Sequence, residues 1–188
     1  MENLKILSDE DLIELVKSKD QELYEEIVKR YQAKLLRYAE TIVRSSDQAA
    51  DVVQQAFIKA FTNLHGFNSS KKFSSWIYRI VHNEAINQIK KYRKEHSLER
   101  NDWPEDIFTD KSQDAQEKLE EKEIKNAINQ ALDKLPIKYQ SVLTLTYLED
   151  KSYEEISDIL KIPTNTVGTR ISRGKKLLAY IYQQQEQS

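Results

Sequence analysis

Only three glycines and three prolines punctuate 188 residues, and that scarcity constrains the fold more than any motif does. Sheets and tight turns need such residues at frequent intervals, whereas long stretches here repeat apolar residues three and four apart. The expectation is an all-α protein with almost no sheet. A hydrophobic content of 39% supplies cores for one medium or two small domains. With no cysteine there are neither disulfides nor thiolate metal sites. No apolar run approaches the ~20 residues that cross a bilayer, and the start MENLKILSDE lacks the basic and apolar regions of a secretory signal. The chain is therefore expected in the cytoplasm, without membrane insertion.

Helices can be laid out from caps and stripes. Ser8, with Asp11 three residues on, suits the start of a first helix whose Leu12, Leu15 and Val16 share a face. Asp20 caps a longer one, with Leu23, Ile27, Tyr31, Leu35, Tyr38 and Ile42 at helical spacing. Ser46 or Asp47 starts a third, striped by Ala50, Val53, Phe57, Phe61 and Leu64, and Gly66 is expected to end it in left-handed backbone. After the loop HGFNSSKK, a fourth runs from about Phe73 to Lys94, with Trp76, Ile77, Ile80, Val81, Ile86 and Ile89 inward. These four read as one bundle.

Between about Ser97 and Glu117 the periodicity fails, Pro104 interrupts and acids crowd in, the composition of a solvated, flexible linker. Extended, such a stretch reaches ~70 Å; as a coil it averages ~25 Å. Two domains, residues 1–96 and 118–188, therefore need not touch. The second opens with EKLEEKEIKNAINQALDKL, and Pro136 then starts a helix over IKYQSVLTLTYLED.

A net charge of −2 hides two basic islands. Residues 66–100 carry eight bases and three acids, and residues 161–182 carry five bases and no acid. The second island closes SYEEISDILKIPTNTVGTRISRGKKLL, whose first seven residues hold three acids. Ser152 and Glu155 make a capping box for a short helix with Ile156, Ile159 and Leu160 inward, and small Ser157 suits a close crossing. Pro163 stops that helix, and Thr164 or Asn165 can cap the next, from about Thr166 to Tyr182, with Val167, Ile171, Leu177, Leu178 and Ile181 buried. This is helix-turn-helix spacing, in which the second helix enters the major groove and the first crosses the backbone. Arg170, Ser172, Arg173, Lys175 and Lys176 would then face phosphates and bases. A solvated hairpin with a basic face is the alternative.

In the other island, Phe67, Phe73, Trp76 and Tyr78 interleave with Lys71, Lys72, Arg79, Lys90, Lys91, Arg93 and Lys94. Aromatic faces beside a cationic track suit single-stranded DNA, because unpaired bases gain ~1–3 kcal/mol each from stacking. Asn83 and Asn87, one turn apart, suit an unstacked base edge. Trp76 fits core and platform equally, whereas Phe67 and the loop lysines are the better candidates for contact.

Three stretches in order, DVVQQAFIKAFTNLHGF, FSSWIYRIVHNEAINQIKK and the run from LPIKYQ to GKKLL, resemble bacterial RNA polymerase sigma factors of the extracytoplasmic-function group over nearly the whole chain. The resemblance implies that Asp51, Gln54 and Gln55 grip the core polymerase. It implies that Phe67, Asn68, Ser69, Lys71, Lys72, Trp76, Arg79, Asn83, Asn87 and Lys90 melt and hold the proximal promoter element. Thr166, Thr169, Arg170, Ser172, Arg173, Lys175 and Lys176 would read the distal element. It implies core RNA polymerase, promoter DNA in duplex and melted form, and an anti-sigma protein as partners. Two positions depart from the family pattern: Gln55 stands where an acid is usual, and Gly168 where Lys or Arg is usual.

No glycine-rich phosphate loop and no Ser/His/Asp constellation stands out, so catalysis and a bound cofactor are not expected. His65, His82 and His96 are too far apart for a metal site and read as surface residues. A free-standing helix-turn-helix regulator and a helical adaptor that ignores DNA are the rival readings.

Overall fold

The computed structural model describes residue 4 and residues 6–95 and 121–186. The expected linker over 97–117, and His96, lie outside the described residues. Among the described residues the regular structure is helical: α1 (Asp9–Ser18), α2 (Tyr24–Val43), α3 (Ser46–Thr62), α4 (Phe73–Glu95), α5 (Glu121–Lys134), α6 (Ile137–Tyr147), α7 (Tyr153–Leu160) and α8 (Thr164–Glu186).

The first bundle follows its caps. Ser8 Oγ accepts from the Asp11 N–H at 3.1 Å and starts α1. Asp20 caps a 3-10 turn, Gln21–Leu23, that feeds α2, and the expected α2 stripe is buried at Ile27, Tyr31, Leu35, Tyr38 and Ile42. Arg44, at φ 60°, ends α2. Arg30 ties the N-terminus down: its guanidinium donates to Asp9 at 2.8 Å and to the carbonyls of Leu7 and Leu4 at 3.0 and 2.5 Å.

Helix α3 buries the expected Val53 and Phe57, with Leu64 beyond its end, but not the expected Ala50 and Phe61. Its buried face is Ala49, Val52, Val53, Ala56, Phe57 and Ala60, while Ala50 is exposed and Phe61 is 37% exposed, leaning on the Tyr24 ring at 5.0 Å. Alanines at the inward positions let α2 and α4 approach closely, so the large Phe61 is the residue left outside. Nor does Gly66 supply left-handed backbone, since no glycine has positive φ among the described residues. Instead, the Asn63 amide donates to the Lys59 carbonyl at 2.8 Å and a 3-10 turn, Leu64–Gly66, carries the chain away.

In the second half, α6 follows Pro136 and buries every residue from Tyr139 to Leu145. It crosses α8 at Gly174, where an added Cβ would lie 3.2 Å from Leu143 Cδ1 and 3.3 Å from Tyr139 Cβ. The α7 capping box is complete, with Ser152 N–H donating to Glu155 at 2.9 Å and Glu155 N–H donating to Ser152 at 3.2 Å. Lys161, at φ 55°, ends α7 before Pro163 is reached. Thr164 and Asn165 already belong to α8 and do not cap it; the N–H groups of Thr166 and Val167 bond back to the Pro163 carbonyl at 2.8 and 3.1 Å. The Ser157 hydroxyl donates to the Ile162 carbonyl at 2.7 Å and holds the turn.

The two halves touch, with α4 against α7 and α2 against α6. Linker length permits separation but does not impose it. Ion pairs cross the contact, Arg79 with Asp158 and Arg37 with Glu149 among them.

Candidate nucleic-acid interface

Helices α7 and α8 form the expected helix-turn-helix. Because Val167, Ile171, Gly174, Leu177 and Ile181 turn inward at three- and four-residue spacing, the opposite side of α8 faces solvent. Thr169, Ser172, Arg173, Lys175 and Lys176 are exposed there; Thr166 and Arg170 are half-buried. At Gly168 an added Cβ would find the Tyr153 ring at 3.5 Å, an ordinary contact. The position therefore has room for a side chain.

The first-half candidates divide. Asn68, Ser69, Lys71, Lys72, Asn83, Asn87 and Lys90 are exposed, and Asn83 and Asn87 share one edge of α4. The loop before α4 is tied down: Asn68 accepts from the Ser70 N–H at 2.9 Å, and Ser69 donates to Glu14 at 2.9 Å. Phe67 departs from expectation. It is only 5% exposed, packed edge-on against Phe73 with ring centroids 5.5 Å apart and tilted against Trp76 at 5.1 Å. Apolar burial wins over display, so its face is not open to a base. Trp76 is half-buried on that pair, and Tyr78, 1% exposed, is core.

The remaining cations meet acids of the second half. Arg79 donates from Nε to the Asp158 carbonyl at 2.9 Å and pairs through Nη2 with the Asp158 carboxylate at 2.6 Å. Lys72 pairs with Glu155 at 3.1 Å. Glu149, whose side chain is 2% exposed, accepts from Tyr78 at 2.5 Å and from Arg37 at 3.2 Å. Lys151 lies over the Tyr78 ring, 4.7 Å from its centroid, and burial holds its pKa below the usual lysine value. Burial pushes the Glu155 and Asp158 carboxyls upward, but their hydrogen bonds and neighbouring cations outweigh it and hold both below the usual carboxylate range.

His82 is not the surface residue expected. It is half-buried, 2.9 Å from the Tyr38 hydroxyl. Burial, with the Arg170 charge second, lowers its pKa to about 4, so the ring is neutral near pH 7. Glu149, Arg37 and Asp158, which join the two halves, are not among the candidates the sequence offers. The one signal for Glu149 is an acid directly after the apolar run SVLTLTYL; Arg37 has none, since its partner lies 112 residues away.

On α3, Asp51, Gln54 and Gln55 are exposed, and Ile58 and Phe61 extend the same side at 49% and 37% exposure. This side carries polar groups first and apolar ones a turn later.

A helical protein with an exposed amide-and-cation edge on one bundle and a helix-turn-helix on the other is, by class, a two-site DNA-binding protein. Residues 27–95 match the family model for sigma-70 region 2, and residues 125–178 match that for sigma-70 region 4. The ECF RNA polymerase sigma factor SigW of Bacillus subtilis (strain 168) is 35% identical over 172 residues, covering 88% of this chain and 92% of that protein. The chain therefore belongs to the extracytoplasmic-function RNA polymerase sigma factors, transcription initiation factors that direct core polymerase to promoters and are not known as catalysts. Two solved structures share the fold at 21% identity. That of CnrH in complex with the cytosolic domain of CnrY has a TM-score of 0.69 and covers 92% of this chain and 96% of that one. That of the sigma factor RpoE with the anti-sigma factor NepR, from Bartonella quintana, has a TM-score of 0.65 and covers 85% and 96%. No helix among the described residues is long and apolar enough to cross a membrane.

Proposed function

We propose that residues 1–96 seat this chain on core polymerase and hold the melted proximal promoter element, and that residues 118–188 read the distal element as duplex. The observation that carries this reading is the presence, in one chain, of two exposed DNA-type faces of different chemistry. Asn83, Asn87 and Lys90 offer amides and charge suited to an unstacked base and its backbone. Arg173, Lys175 and Lys176 offer charge on a helix shaped for the major groove. Phosphate contacts set register, and base contacts specify sequence. Holding an extruded base offsets the few kcal/mol that unstacking costs. On α3, Asp51, Gln54 and Gln55 make the polymerase contact, with Ile58 and Phe61 adding the apolar area that a stable interface needs. An anti-sigma protein is the further partner, in keeping with the NepR complex of the relative.

Run-off transcription with core enzyme on a matched promoter tests the reading: initiation should move to that promoter only when the chain is added. Failure to redirect initiation with active core enzyme would overturn it. Within that assay, Arg173→Ala should weaken promoter binding and reduce the slope of log affinity against log salt by about 1. An unchanged slope removes Arg173 from the phosphate contacts.

A further inference from the structure

We propose that one edge of α1 fixes the shape of the proximal-element loop: Glu10, Glu14 and Lys17 aim the backbone of residues 67–73 and so set which bases of the melted strand the loop accepts. The three are positioning residues, and the inference rests on the reading of Asn68, Ser69 and the loop lysines as strand contacts.

Positions 10, 14 and 17 are four and three residues apart, so they fall on one side of a helix. Leu12, Ile13 and Val16 occupy the neighbouring, buried side. Each of the three edge residues takes a different part of the loop. Lys17 holds its start: the amine donates to the Phe67 carbonyl at 2.9 Å and lies 5.5 Å from the centre of the Phe67 ring. Glu14 holds its middle, accepting from the Ser69 hydroxyl at 2.9 Å, and the same carboxylate oxygen accepts from Lys17 at 2.9 Å. Glu10 holds its end, accepting from the Phe73 N–H at 2.7 Å.

That last bond also serves α4. The residue before Phe73 is Lys72, whose side chain can only donate and so cannot cap the helix. A carboxylate from α1 takes the place of a cap, and the helix dipole favours negative charge there. Because Asn83, Asn87 and Lys90 ride on α4, the same edge of α1 ties loop and helix into one surface.

The dependence runs from the loop to α1. Helix α1 is anchored without the loop, by Leu12, Ile13 and Val16 in the core, by the Asp9–Arg30 pair at 2.8 Å and by Tyr31, which donates to the same carboxylate. The loop's own bonds, from Ser70 N–H to Asn68 Oδ1 at 2.9 Å and from Lys71 N–H to the Asn68 carbonyl at 3.0 Å, are local. They curl the loop but cannot aim it. Burial of the Phe67 and Phe73 rings places its two ends, and the α1 bonds direct the backbone between them. Lys17 is itself drawn out of water, with a side chain 12% exposed, which lysine rarely accepts unless paired. A loop shaped beforehand needs less ordering when it binds and holds its donors and acceptors where only a matching base edge satisfies them. Loosening it therefore costs discrimination more than it costs binding.

Holoenzyme assembled from this chain and core polymerase, transcribing a promoter library randomised at both elements, reads the effect as base preference among the initiated products. The wild-type chain should select at both elements. Lys17→Met keeps the stem and removes the donor. It should cut the preference for the best base over the second, at the most selective proximal position, by ~3-fold or more, the scale of one lost hydrogen bond. Glu14→Ala, at a side chain 52% exposed, should act the same way with helix content and thermal midpoint near those of the wild type. Lys17→Arg can donate to the same carbonyl and should keep the preference. Distal-element preference should not move in any of these variants, which a general loss of stability would not spare.

Lys19→Met removes an equal charge from the exposed residue just past α1 and should change neither preference. Unaltered proximal preference in both Lys17→Met and Glu14→Ala, or an equal loss with Lys19→Met, would overturn the inference. A wild-type chain that selects at the distal element and shows no preference at the proximal one would instead overturn the parent reading of the loop.

Discussion

A missing side chain means opposite things at Gly168 and Gly174. Both lie inside α8, where glycine costs ~1 kcal/mol of helix stability relative to alanine. At Gly168 the new methyl would rest on the Tyr153 ring at 3.5 Å. Gly168→Ala should therefore stabilise the chain by up to ~1 kcal/mol and raise the thermal midpoint by ~2–4 °C. At Gly174 the first added carbon already meets Leu143 and the Cβ of Tyr139 at 3.2–3.3 Å. Gly174→Val should lower stability by ~1–3 kcal/mol through overpacking of the α6–α8 crossing. Thermal melts of the two variants beside the wild type decide both signs; stabilisation by Gly174→Val would show that the crossing yields. The departure at Gly168 is legible in the sequence as a missing side chain. Its steric meaning is not, because Tyr153 and Leu143 reach the two glycines only through the fold. The same limit explains Phe67: a large aromatic in a polar loop reads as displayed, yet Phe73 and Trp76 close a pocket around it.

At the scale of elements, local chemistry is legible in the sequence and facing direction less so. The capping box of α7 is visible as Ser152 and Glu155 because both bonds lie within four residues. Ser152→Ala should cost ~1 kcal/mol, more than a cap on a long helix would suggest, because α7 has only eight residues and little else to anchor its first turn. A urea midpoint that falls with an unchanged slope is the expected result; no fall would mean that packing of Ile156 and Ile159 alone holds the turn. Helix α3 shows where pattern reading slips. Its existence follows from spacing, but half of its inward face is alanine, at positions 49, 56 and 60, which carries little hydrophobic signal, so the stripe that rightly holds Val53 and Phe57 also takes in the exposed Ala50 and Phe61. The correction matters for the site, since it leaves Phe61 beside Ile58 on the outer side of α3. Helix α6 is the reverse case: buried on all sides from Tyr139 to Leu145, it has no polar face from which a direction could be inferred.

For the whole molecule, the two-part organisation was legible because each half has its own periodic core, and the contact between the halves was not. Opposite charges separated by 79 to 112 residues give no local signal of pairing, and the side chains that make the contact are common surface types. One consequence of that contact can be titrated. His82 of α4 lies at the junction, bonded to Tyr38 of α2 and within reach of the Arg170 charge from α8. Its pKa is lowered from 6.5 to about 4, so between those values the unfolded chain takes up a proton that the folded chain refuses. Stability is then complete above pH 6.5 and falls as the pH drops toward 4, by at most on the order of 3 kcal/mol from this group. Glu155 and Asp158 act in the same direction, but their carboxyls are held below the ordinary values of 4.5 and 3.8, so their contribution is lost at or beneath the bottom of that window. Urea unfolding at pH 7.5, 6.5, 5.5 and 5.0 should therefore show a decline that His82→Gln flattens. Equal slopes for the two chains would mean that the ring is charged in the folded state and that the junction is open to water at this point.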